Sequence, residues 1–505
     1  TVQAAGQGAL AKPDAKVRPA AVAGLFYPAD RESLAKEIDQ YLAAAKPEAV
    51  QKLRGLVVPH AGYRYSGPVA AVGYKQIIGR EVRTVVLMGP SHTAAFRGAF
   101  LSEADAYETP LGRVPVSSRT KQLAAHPPFV TRLEGRVERP PWADESPRRP
   151  PSQGEDLPDT WEHSLEVEVP FLQKTLGDFQ IVPIVFGDVD PEAVARELVK
   201  TLDATTLLVA SSDLSHYYPD QKARGLDTTC IQAVCQLNGA WMAEQEACGK
   251  GPILTLMHVA RAKGWKAKLL DYRNSGDTAG DRSHVVGYAA IAFFEPEGPA
   301  TASPAPAPGW TSAERKTLLA LARQSLGDSV RSGKPPEIDL AKYDAKLTAP
   351  RACFVTLTIK GQLRGCIGHI FPREPLVQAV VHNAAAAALE DPRFPPVGVK
   401  ELDQIDLEIS ILTLPERLAF HSPEDLLAKL RPKIDGVVLR VGRRQSTYLP
   451  QVWEQLPDRE SFLNHLAEKA GLAATDWKRP EAEVLVYQVE AFQEKEEAKP
   501  GGEVK

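Results

Sequence analysis

The sequence contains little cysteine, no excess of charge of either sign and no long apolar run. Its five cysteines, among 505 residues, have neither the spacing of a disulfide framework nor that of a CxxC metal-binding knuckle. The formal net charge of -4 lacks the basic excess that is typical of nucleic-acid-binding proteins. No stretch approaches the roughly 18 apolar residues of a membrane span. We therefore expect reduced thiols in a cytoplasmic protein with no nucleic-acid partner, although the start at Thr1 leaves an exported form open.

The composition provides apolar residues for more than one core. Hydrophobic residues make up 43% and charged residues 25% of the chain, which is the balance of a soluble globular protein. Residues 295–310 are rich in proline and alanine and predict an extended, semi-rigid linker. This linker separates a first domain at residues 17–294 from a second at residues 311–493. A polar stretch at residues 138–159 predicts a long loop insertion within the first domain.

Strand-like and helix-like segments alternate along the first domain. Five apolar runs are typical of parallel strands that are buried on both faces, at residues 55–58, 84–88, 181–185, 207–210 and 285–294. Three amphipathic segments predict helices, at residues 32–44, 192–202 and 226–237. This alternation predicts an α/β domain in which helices cover both faces of a sheet.

Three of the predicted strands are followed closely by a polar cluster that contains a histidine, namely His60, His92 and His216. In open α/β sheets ligands bind beyond the carboxyl ends of the strands, so we expect the three side chains to converge. Histidine is the commonest metal ligand, and two histidines with one anionic ligand are the pattern of non-haem iron oxygenases. A further histidine can act there as an acid or base. The alternative is that each histidine caps a helix or completes a local hydrogen bond.

Several segments of the first domain occur in the order found in the Memo family. They are AVAGLFYPAD, PHAGYRYSG, GPSH, EHSLEVEVPFL, SSDLSHY and ACGKGP. The chain therefore resembles that family over residues 17–294. The resemblance implies a fold like that of the class III extradiol dioxygenases, with a pocket that holds a metal ion.

The resemblance also implies roles for particular residues. His60, His92 and Cys248 would surround the metal, and His216 would be the acid or base, with Asp213 close enough to orient it. In the dioxygenases the third ligand is a glutamate. A thiolate instead favours Cu(I), zinc or a softer iron site, which makes catechol cleavage the weaker alternative. We expect Fe(II) or Cu(I), with zinc as a third option. The alternative for Cys248 is a small buried hydrophobic residue.

Two further residues of the first domain are candidates for binding a substrate. His163, in the EHSLEVEVPFL segment, is either a substrate contact, a hydrogen-bond partner of a metal ligand or a structural residue. Tyr63 closely follows the first histidine and either lines the pocket or packs in the core. The substrate itself is either a small molecule or a peptide.

The second half of the chain predicts a different domain. A helix at residues 313–327 precedes a β-rich stretch that contains LRGCIG, and this motif resembles the AMMECR-type domain, also called AmmeMemoRadiSam system protein A. The resemblance implies an α+β fold. Arg364 and Cys366 point to the same side of a strand, which makes an arginine-activated thiol a candidate site. The alternative is a packed turn beside a solvent-facing arginine, and binding or delivery of a substrate is then the role of this domain.

Proteins that resemble these two domains are associated with a radical SAM enzyme, which implies a partner on a separate chain because this sequence has no CxxxCxxC cluster motif. Our first hypothesis is therefore a metal-binding, redox-active protein of the AmmeMemoRadiSam system. The alternative is a non-catalytic scaffold that binds iron, copper or a peptide, and the weaker alternative is an extradiol-type dioxygenase. A linker that joins two domains keeps them at a high effective concentration for a shared substrate or partner.

Overall fold

The protein is described by a computed structural model over residues 15–46, 48–133, 136–152, 154–296, 309–442 and 444–494. Most of the predicted linker lies outside these ranges, so its extended conformation stays a prediction. The described residues form two compact units, on either side of residue 301. Among the described helices, none is both long and apolar enough to cross a membrane.

The first unit contains fourteen strands and ten helices within its described ranges. The strands are β1 (Val17–Arg18), β2 (Leu53–Val58), β3 (Thr84–Pro90), β4 (Ala94–Ala95), β5 (Ala99–Leu101), β6 (Ala106–Thr109), β7 (Gly112–Pro115), β8 (Phe129–Val130), β9 (Arg136–Val137), β10 (Gln180–Phe186), β11 (Thr206–Ser211), β12 (His216–Tyr218), β13 (Lys266–Asn274) and β14 (Val285–Phe294). The helices are α1 (Arg31–Ala44), α2 (Tyr63–Lys75), α3 (Arg119–Leu123), α4 (His163–Glu166), α5 (Val169–Thr175), α6 (Pro191–Thr201), α7 (Asp220–Cys235), α8 (Gly239–Ala243), α9 (Lys250–Lys263) and α10 (Ser275–Ala279).

A nine-stranded sheet forms the centre of this unit, with the strand order β12-β14-β2-β11-β3-β10-β5-β8 and β13 paired to β14. The four strands β2, β11, β3 and β10 are parallel to their neighbours in this group. Every residue of β3 and of β11 is buried, and because successive side chains point to opposite faces, both faces are covered. The predicted mixed α/β architecture of the first domain is confirmed.

The prediction of a parallel strand at residues 285–294 was wrong in direction. The strand exists with those bounds, but β14 runs antiparallel to β2 and to β13. The cause is its connection, because β13 and β14 are joined only by α10 and a short loop rather than by a crossover helix. The helix predicted at residues 226–237 also begins earlier, at Asp220, directly after Pro219.

The predicted loop insertion at residues 138–159 contains one short 3-10 helix, Pro141–Glu145. Its described residues are tied to the body of the unit. The Ser146 hydroxyl donates a hydrogen bond to the Ala21 carbonyl over 2.6 Å, and Nε1 of Trp161 donates to the Asp156 carboxylate over 2.6 Å. These bonds hold the segment beside the strand that opens the unit.

Within its described ranges, the second unit has two four-stranded antiparallel sheets, and the predicted α+β class is confirmed. Its strands are β15 (Cys353–Ile359), β16 (Gln362–Gly368), β17 (Ile405–Leu412), β18 (Glu416–Arg417), β19 (Gly436–Val441), β20 (Arg444–Tyr448), β21 (Ala482–Tyr487) and β22 (Val489–Gln493), and its helices are α11 (Ser312–Ser332), α12 (Ala345–Thr348), α13 (Leu376–Leu389), α14 (Pro423–Lys429) and α15 (Arg459–Lys469). The sheet β16-β15-β17-β22 shares a core with α11 and α13, and the sheet β18-β21-β19-β20 shares another with α14 and α15.

Candidate metal centre

The topology places two of the predicted histidines at one edge of the central sheet. His60 lies two residues beyond β2 and His92 two residues beyond β3, and these strands flank β11 in parallel. The carboxyl ends of the three strands therefore meet at the same edge. Asp213, two residues beyond β11, accepts a hydrogen bond from the His60 amide over 2.9 Å. The sheet thus fixes the backbone from which both imidazoles project.

A third histidine completes a close cluster. Ring nitrogens of His60, His92 and His163 all lie within 4.8 Å of one another, which is close enough for one metal ion to bind all three. The ring centroids of His92 and His163 are 4.4 Å apart, and that of His60 is 5.2 Å from His92 and 5.4 Å from His163. We call these three residues the histidine cluster. His163, for which the sequence predicts a substrate contact, a hydrogen-bond partner of a metal ligand or a structural residue, stands here among the candidate ligands.

Cys248 reaches the histidine cluster because the chain after it approaches β11 closely. Cys248 and Gly249 immediately precede α9. A Cβ atom on Gly249 would lie 2.4 Å from the Ser211 carbonyl oxygen and 2.5 Å from Ser212 Cβ, so a side chain there would displace the end of the strand. Steric crowding therefore explains why the first glycine of the ACGKGP motif, Gly249, has no side chain.

The Cys248 thiol lies against His60. Its Sγ is 3.2 Å from Nε2 of His60, and the Asp213 amide donates a hydrogen bond to the sulfur over 3.2 Å. Burial raises the pKa of the thiol, and a hydrogen bond with His92 opposes this rise. The structure therefore brings together the three predicted metal ligands His60, His92 and Cys248, and their binding of a metal stays a prediction.

Two buried side chains hold the far nitrogens of these imidazoles. Nδ1 of His60 is 2.7 Å from the Ser211 hydroxyl, and Nδ1 of His92 is 2.8 Å from the Glu162 carboxylate. The same carboxylate accepts a hydrogen bond from the His92 amide over 2.6 Å. Burial would raise the pKa of Glu162, but its bonds with His92 lower it to about 2, so the carboxylate stays charged. In both histidines the other ring nitrogen, Nε2, points toward the candidate metal position.

Burial determines the protonation of two members of the histidine cluster. It lowers the pKa of His60 well below its ordinary value, and the neighbouring His163 and His92 lower it further. Burial also lowers the pKa of His163 to about 4, against the attraction of Glu162. His92 differs, because hydrogen bonds with Cys248 and Glu162 outweigh its burial and raise its pKa to about 10. At neutral pH, His60 and His163 can bind a metal directly, whereas His92 must first release a proton.

The predicted acid/base residues lie at the same edge. His216 is half-buried, its pKa is lowered by burial, and it is close enough to affect the pKa of His60. Burial raises the pKa of Asp213 to about 7, although hydrogen bonds from the His60 and Ala61 amides favour its charged form. The Asp213 carboxylate thus holds the backbone at His60, and its orientation of His216 stays a prediction.

Tyr63 packs away from the pocket. It is the first residue of α2, it is buried, and its hydroxyl donates to the Val167 carbonyl over 2.7 Å. Its ring lies 4.9 Å from that of Phe171. This placement favours the structural alternative for Tyr63. Tyr65, two residues later, is exposed.

The EHSLEVEVPFL segment supplies three buried carboxylates. Glu162 contacts His92, as described above. Glu166 pairs with Arg18 and accepts hydrogen bonds from the Val22 amide over 2.9 Å and the Tyr27 hydroxyl over 2.6 Å. Glu168 accepts a hydrogen bond from Ser211 over 2.8 Å. The sequence shows the alternation of glutamate with apolar residues but not these partners, since each partner lies far away along the chain.

A cleft of about 360 Å³ opens beside Cys248, between the ends of β3 and β10 and the start of α9. Its walls are mostly apolar and include Phe96, Phe186 and Pro252. Asp188 is the acidic residue on its lining, and none of the described lining residues is a lysine or arginine. A small molecule therefore has a route to the thiol.

In the candidate site of the second domain, Arg364 and Cys366 have separate hydrogen-bond partners. Arg364 donates hydrogen bonds to the Glu401 carboxylate over 2.8 Å and 3.1 Å, so its guanidinium is engaged by an acid and not by the thiol. The Cys366 amide donates to Asp391 over 2.8 Å, and the Thr356 hydroxyl lies 3.3 Å from Sγ. The structure favours the packing alternative for this segment.

Gly365, between these two residues, has the same steric role as Gly249. A Cβ atom on it would lie 2.1 Å from the Ala387 carbonyl oxygen of α13. The strand β16 therefore packs directly on the backbone of α13, which accounts for the glycine in LRGCIG.

Two family models match the chain. Residues 18–292 match a family described as Memo-like protein, and residues 319–492 match a family described as AMMECR1. A MEMO1 family protein of Archaeoglobus fulgidus is 38% identical over 284 residues, which are 54% of this chain and 97% of that protein. A MEMO1 family protein of Aquifex aeolicus is 36% identical over 293 residues, or 55% and 100% of the two chains. One of Methanopyrus kandleri is 36% identical over 301 residues, or 55% and 98%.

A similar protein has a solved structure. It is the uncharacterized protein PH0010 from Pyrococcus horikoshii, which is 34% identical and covers 35% of this chain and 90% of its own. The TM-score is 0.34. At this value the likeness supports no structural argument.

Proposed function

Because this chain belongs to the Memo family through residues 18–292, we propose that its first domain binds a redox-active metal ion, Fe(II) or Cu(I), and acts with a separate radical SAM protein on a small molecule or peptide. The observation that carries the metal site is the histidine cluster, whose ring nitrogens lie within 4.8 Å of one another. The partner rests on the family resemblance alone.

The donor atoms fit a metal ion. Ligand atoms bound to one tetrahedral metal at about 2.0 to 2.3 Å lie about 3.5 Å from each other. Nε2 of His60 and Sγ of Cys248 are 3.2 Å apart. Nδ1 of His163 is buried and has no hydrogen-bond partner among the described residues, which leaves a polar atom that a metal or an ordered ligand would satisfy.

His60, His92 and Cys248 would hold the metal, and His163 would supply a fourth nitrogen or face the substrate. Imidazole and thiolate together suit Cu(I), zinc and iron, and the thiolate disfavours metals that prefer oxygen ligands. A bound Fe(II) or Cu(I) ion would supply one-electron chemistry beside Cys248, which lines the cleft. This ligand set is why we propose redox chemistry rather than ring cleavage.

The protein's own groups orient the site and move protons. Glu162 fixes the ring of His92, and Asp213 fixes the backbone that carries His60. His216 is neutral near pH 7, because burial lowers its pKa, and its ring can therefore accept a proton from a substrate.

The decisive experiment is elemental analysis of protein purified without oxygen. We expect about one iron or copper ion per wild-type chain, and its loss in His60→Ala, because that variant removes a central ligand. The exposed His126 provides a matched control, and His126→Ala should keep the metal. Equal and substoichiometric metal in wild type and His60→Ala would overturn the proposal.

The scaffold alternative predicts the same metal but no turnover. Its support is Cys248, since a thiolate binds a soft metal tightly without providing the open oxygen-rich site of a ring-cleaving enzyme. Oxygen uptake by the metal-loaded wild type with a reductant would favour the enzyme. If Cys248→Glu loaded with iron cleaved catechol, the extradiol chemistry would be available to the scaffold and blocked by the thiol.

The radical SAM partner needs its own test. We expect direct binding between the full chain and a purified radical SAM protein from the same organism, measured by calorimetry. A lack of binding in the presence of the metal and S-adenosylmethionine would contradict this part of the proposal without affecting the metal site.

A further inference from the structure

A chain of buried hydrogen bonds runs from His60 into the core. Nδ1 of His60 is 2.7 Å from Oγ of Ser211, and this Oγ is 2.8 Å from Oε1 of Glu168. The Tyr74 hydroxyl donates to Oε2 of Glu168 over 2.8 Å. All four side chains are at most 2% exposed. Because solvent does not reach them, their protons must satisfy one another.

A count of protons fixes the direction of these bonds. Oγ of Ser211 also lies 2.7 Å from the Ser164 carbonyl oxygen, which can only accept. The hydroxyl has one proton to give, and this proton goes to the carbonyl, either alone or shared with Oε1 of Glu168. His60 must then donate from Nδ1, because the remaining electron pairs of Oγ face it.

The opposite arrangement leaves atoms unsatisfied. If Ser211 gave its only proton to Nδ1 of His60, its electron pairs would face the Ser164 carbonyl at 2.7 Å. A lone pair against a lone pair in a buried site costs about 1 to 3 kcal/mol. This holds whether or not Glu168 carries a proton, so the direction does not depend on its ionisation.

We propose that Ser211 and Glu168 are positioning residues that fix His60 as its Nδ1–H tautomer, so that Nε2 presents its electron pair to the metal. This inference rests on the proposed metal site and extends it to residues that touch no ligand. Nε2 of His60 already faces Sγ of Cys248. Glu162 directly supports Nδ1 of His92 in the same way, and Nε2 of His92 presents its electron pair once it has released its proton. The two histidines thus have separate supports that start from one short segment, residues 162–168.

The first readout is the tautomer of His60 in metal-free protein, measured by long-range proton–nitrogen correlation with 15N-labelled histidine. His60 is neutral at pH 7, since burial lowers its pKa. We expect Nδ1–H in wild type, and a mixture of tautomers in Ser211→Ala, because the acceptor for Nδ1–H is gone. His60→Ala identifies the signal.

The second readout is the affinity for cobalt(II). Loss of an outer partner of a metal-binding histidine weakens metal binding about 10- to 100-fold, and we expect this loss in Ser211→Ala. Thr175 is the matched control, since its buried hydroxyl also donates to a carbonyl, that of Phe171, over 2.7 Å. Thr175→Val should keep the cobalt affinity and the tautomer of wild type.

The possible results of these two measurements distinguish a failure of the positioning role from a failure of the proposed metal site. A folded Ser211→Ala that keeps the wild-type tautomer and cobalt affinity would overturn it. If Ser211→Ala does not fold, Glu168→Met takes its place, and a cobalt affinity equal to that of wild type would overturn the role of Glu168. If wild type has the Nδ1–H tautomer but binds no metal, the proposed function fails while the positioning of His60 stands.

Discussion

Cys248 and Cys366 both stand beside glycines in motifs that resemble known families, yet their surroundings differ. The Cys248 thiol faces two imidazoles and a cleft, whereas near Cys366 the Arg364 side chain pairs with Glu401 and the Asp391 side chain pairs with Arg393. A glycine brings each cysteine close to another backbone. In both motifs the glycine marks a place where two chain segments pack closely together. Whether chemistry takes place there depends on which side chains face the cysteine.

Removal of each thiol in turn should have the largest effect on metal binding. In Cys248→Ala we expect a loss of metal affinity of more than about 100-fold, above the range for an outer partner, because a ligand is missing. Cys366→Ala should keep the wild-type affinity. The measurement is a competition titration with a chromogenic chelator. Equal affinities in both variants would show that Cys248 is not a ligand and would leave His163 as the third.

Two buried carboxyl groups, one in each domain, have pKa values that are shifted in opposite directions. Burial raises the pKa of Glu168 in the first domain to about 8, whereas the Arg393 guanidinium lowers that of Asp391 in the second. A raised carboxyl pKa costs stability as pH rises, since the unfolded chain ionises first. Between about pH 5 and pH 7, the free energy of unfolding of wild type should therefore fall by about 2 kcal/mol relative to that of Glu168→Gln.

Asp391 should behave in the opposite way. Its lowered pKa gives stability that is present above the ordinary aspartate pKa and is lost as pH falls through the folded value. The advantage of wild type over Asp391→Asn should therefore shrink below about pH 4. Denaturant unfolding across pH measures both differences. The same sign of pH dependence for both pairs would contradict this assignment.

The smallest expected effect belongs to Arg364→Ala. Its ion pair with Glu401 is partly exposed, with side-chain exposures of 14% and 33%, and such pairs contribute about 1 kcal/mol or less. We expect a slight loss of stability in the second domain and no change in metal content. A large change in the reactivity of Cys366 toward a thiol reagent would instead support the hypothesis that Arg364 activates this thiol.

The sequence predicts the frame of the first domain well. The strands that precede His60 and His92 are continuous apolar runs, and such runs are typical of strands that are buried on both faces. The strand at residues 285–294 was predicted with the wrong direction, because an apolar run contains no information about direction. That information lies in the connection before it.

The sequence predicts the candidate site less completely. His60 and His92 follow their strands directly, so strand ends identify them. His163 starts a four-residue helix and follows no strand, and its approach to the cluster depends on packing against β3 that only the folded chain shows. Ser211 and Glu168 have no motif of their own, since their importance lies in a contact between residues 43 positions apart.

The three glutamates of residues 162–168 have a consequence for how this domain can change. One supports His92, one pairs with Arg18 and ties down the first strand, and one supports Ser211. Each residue of a helix is turned by about 100° from the one before it. An insertion or deletion of one residue inside this stretch would therefore turn every later glutamate away from its partner. Point substitutions can accumulate around the segment, but its length cannot vary, so natural variants and engineered loop exchanges should leave its seven-residue spacing intact.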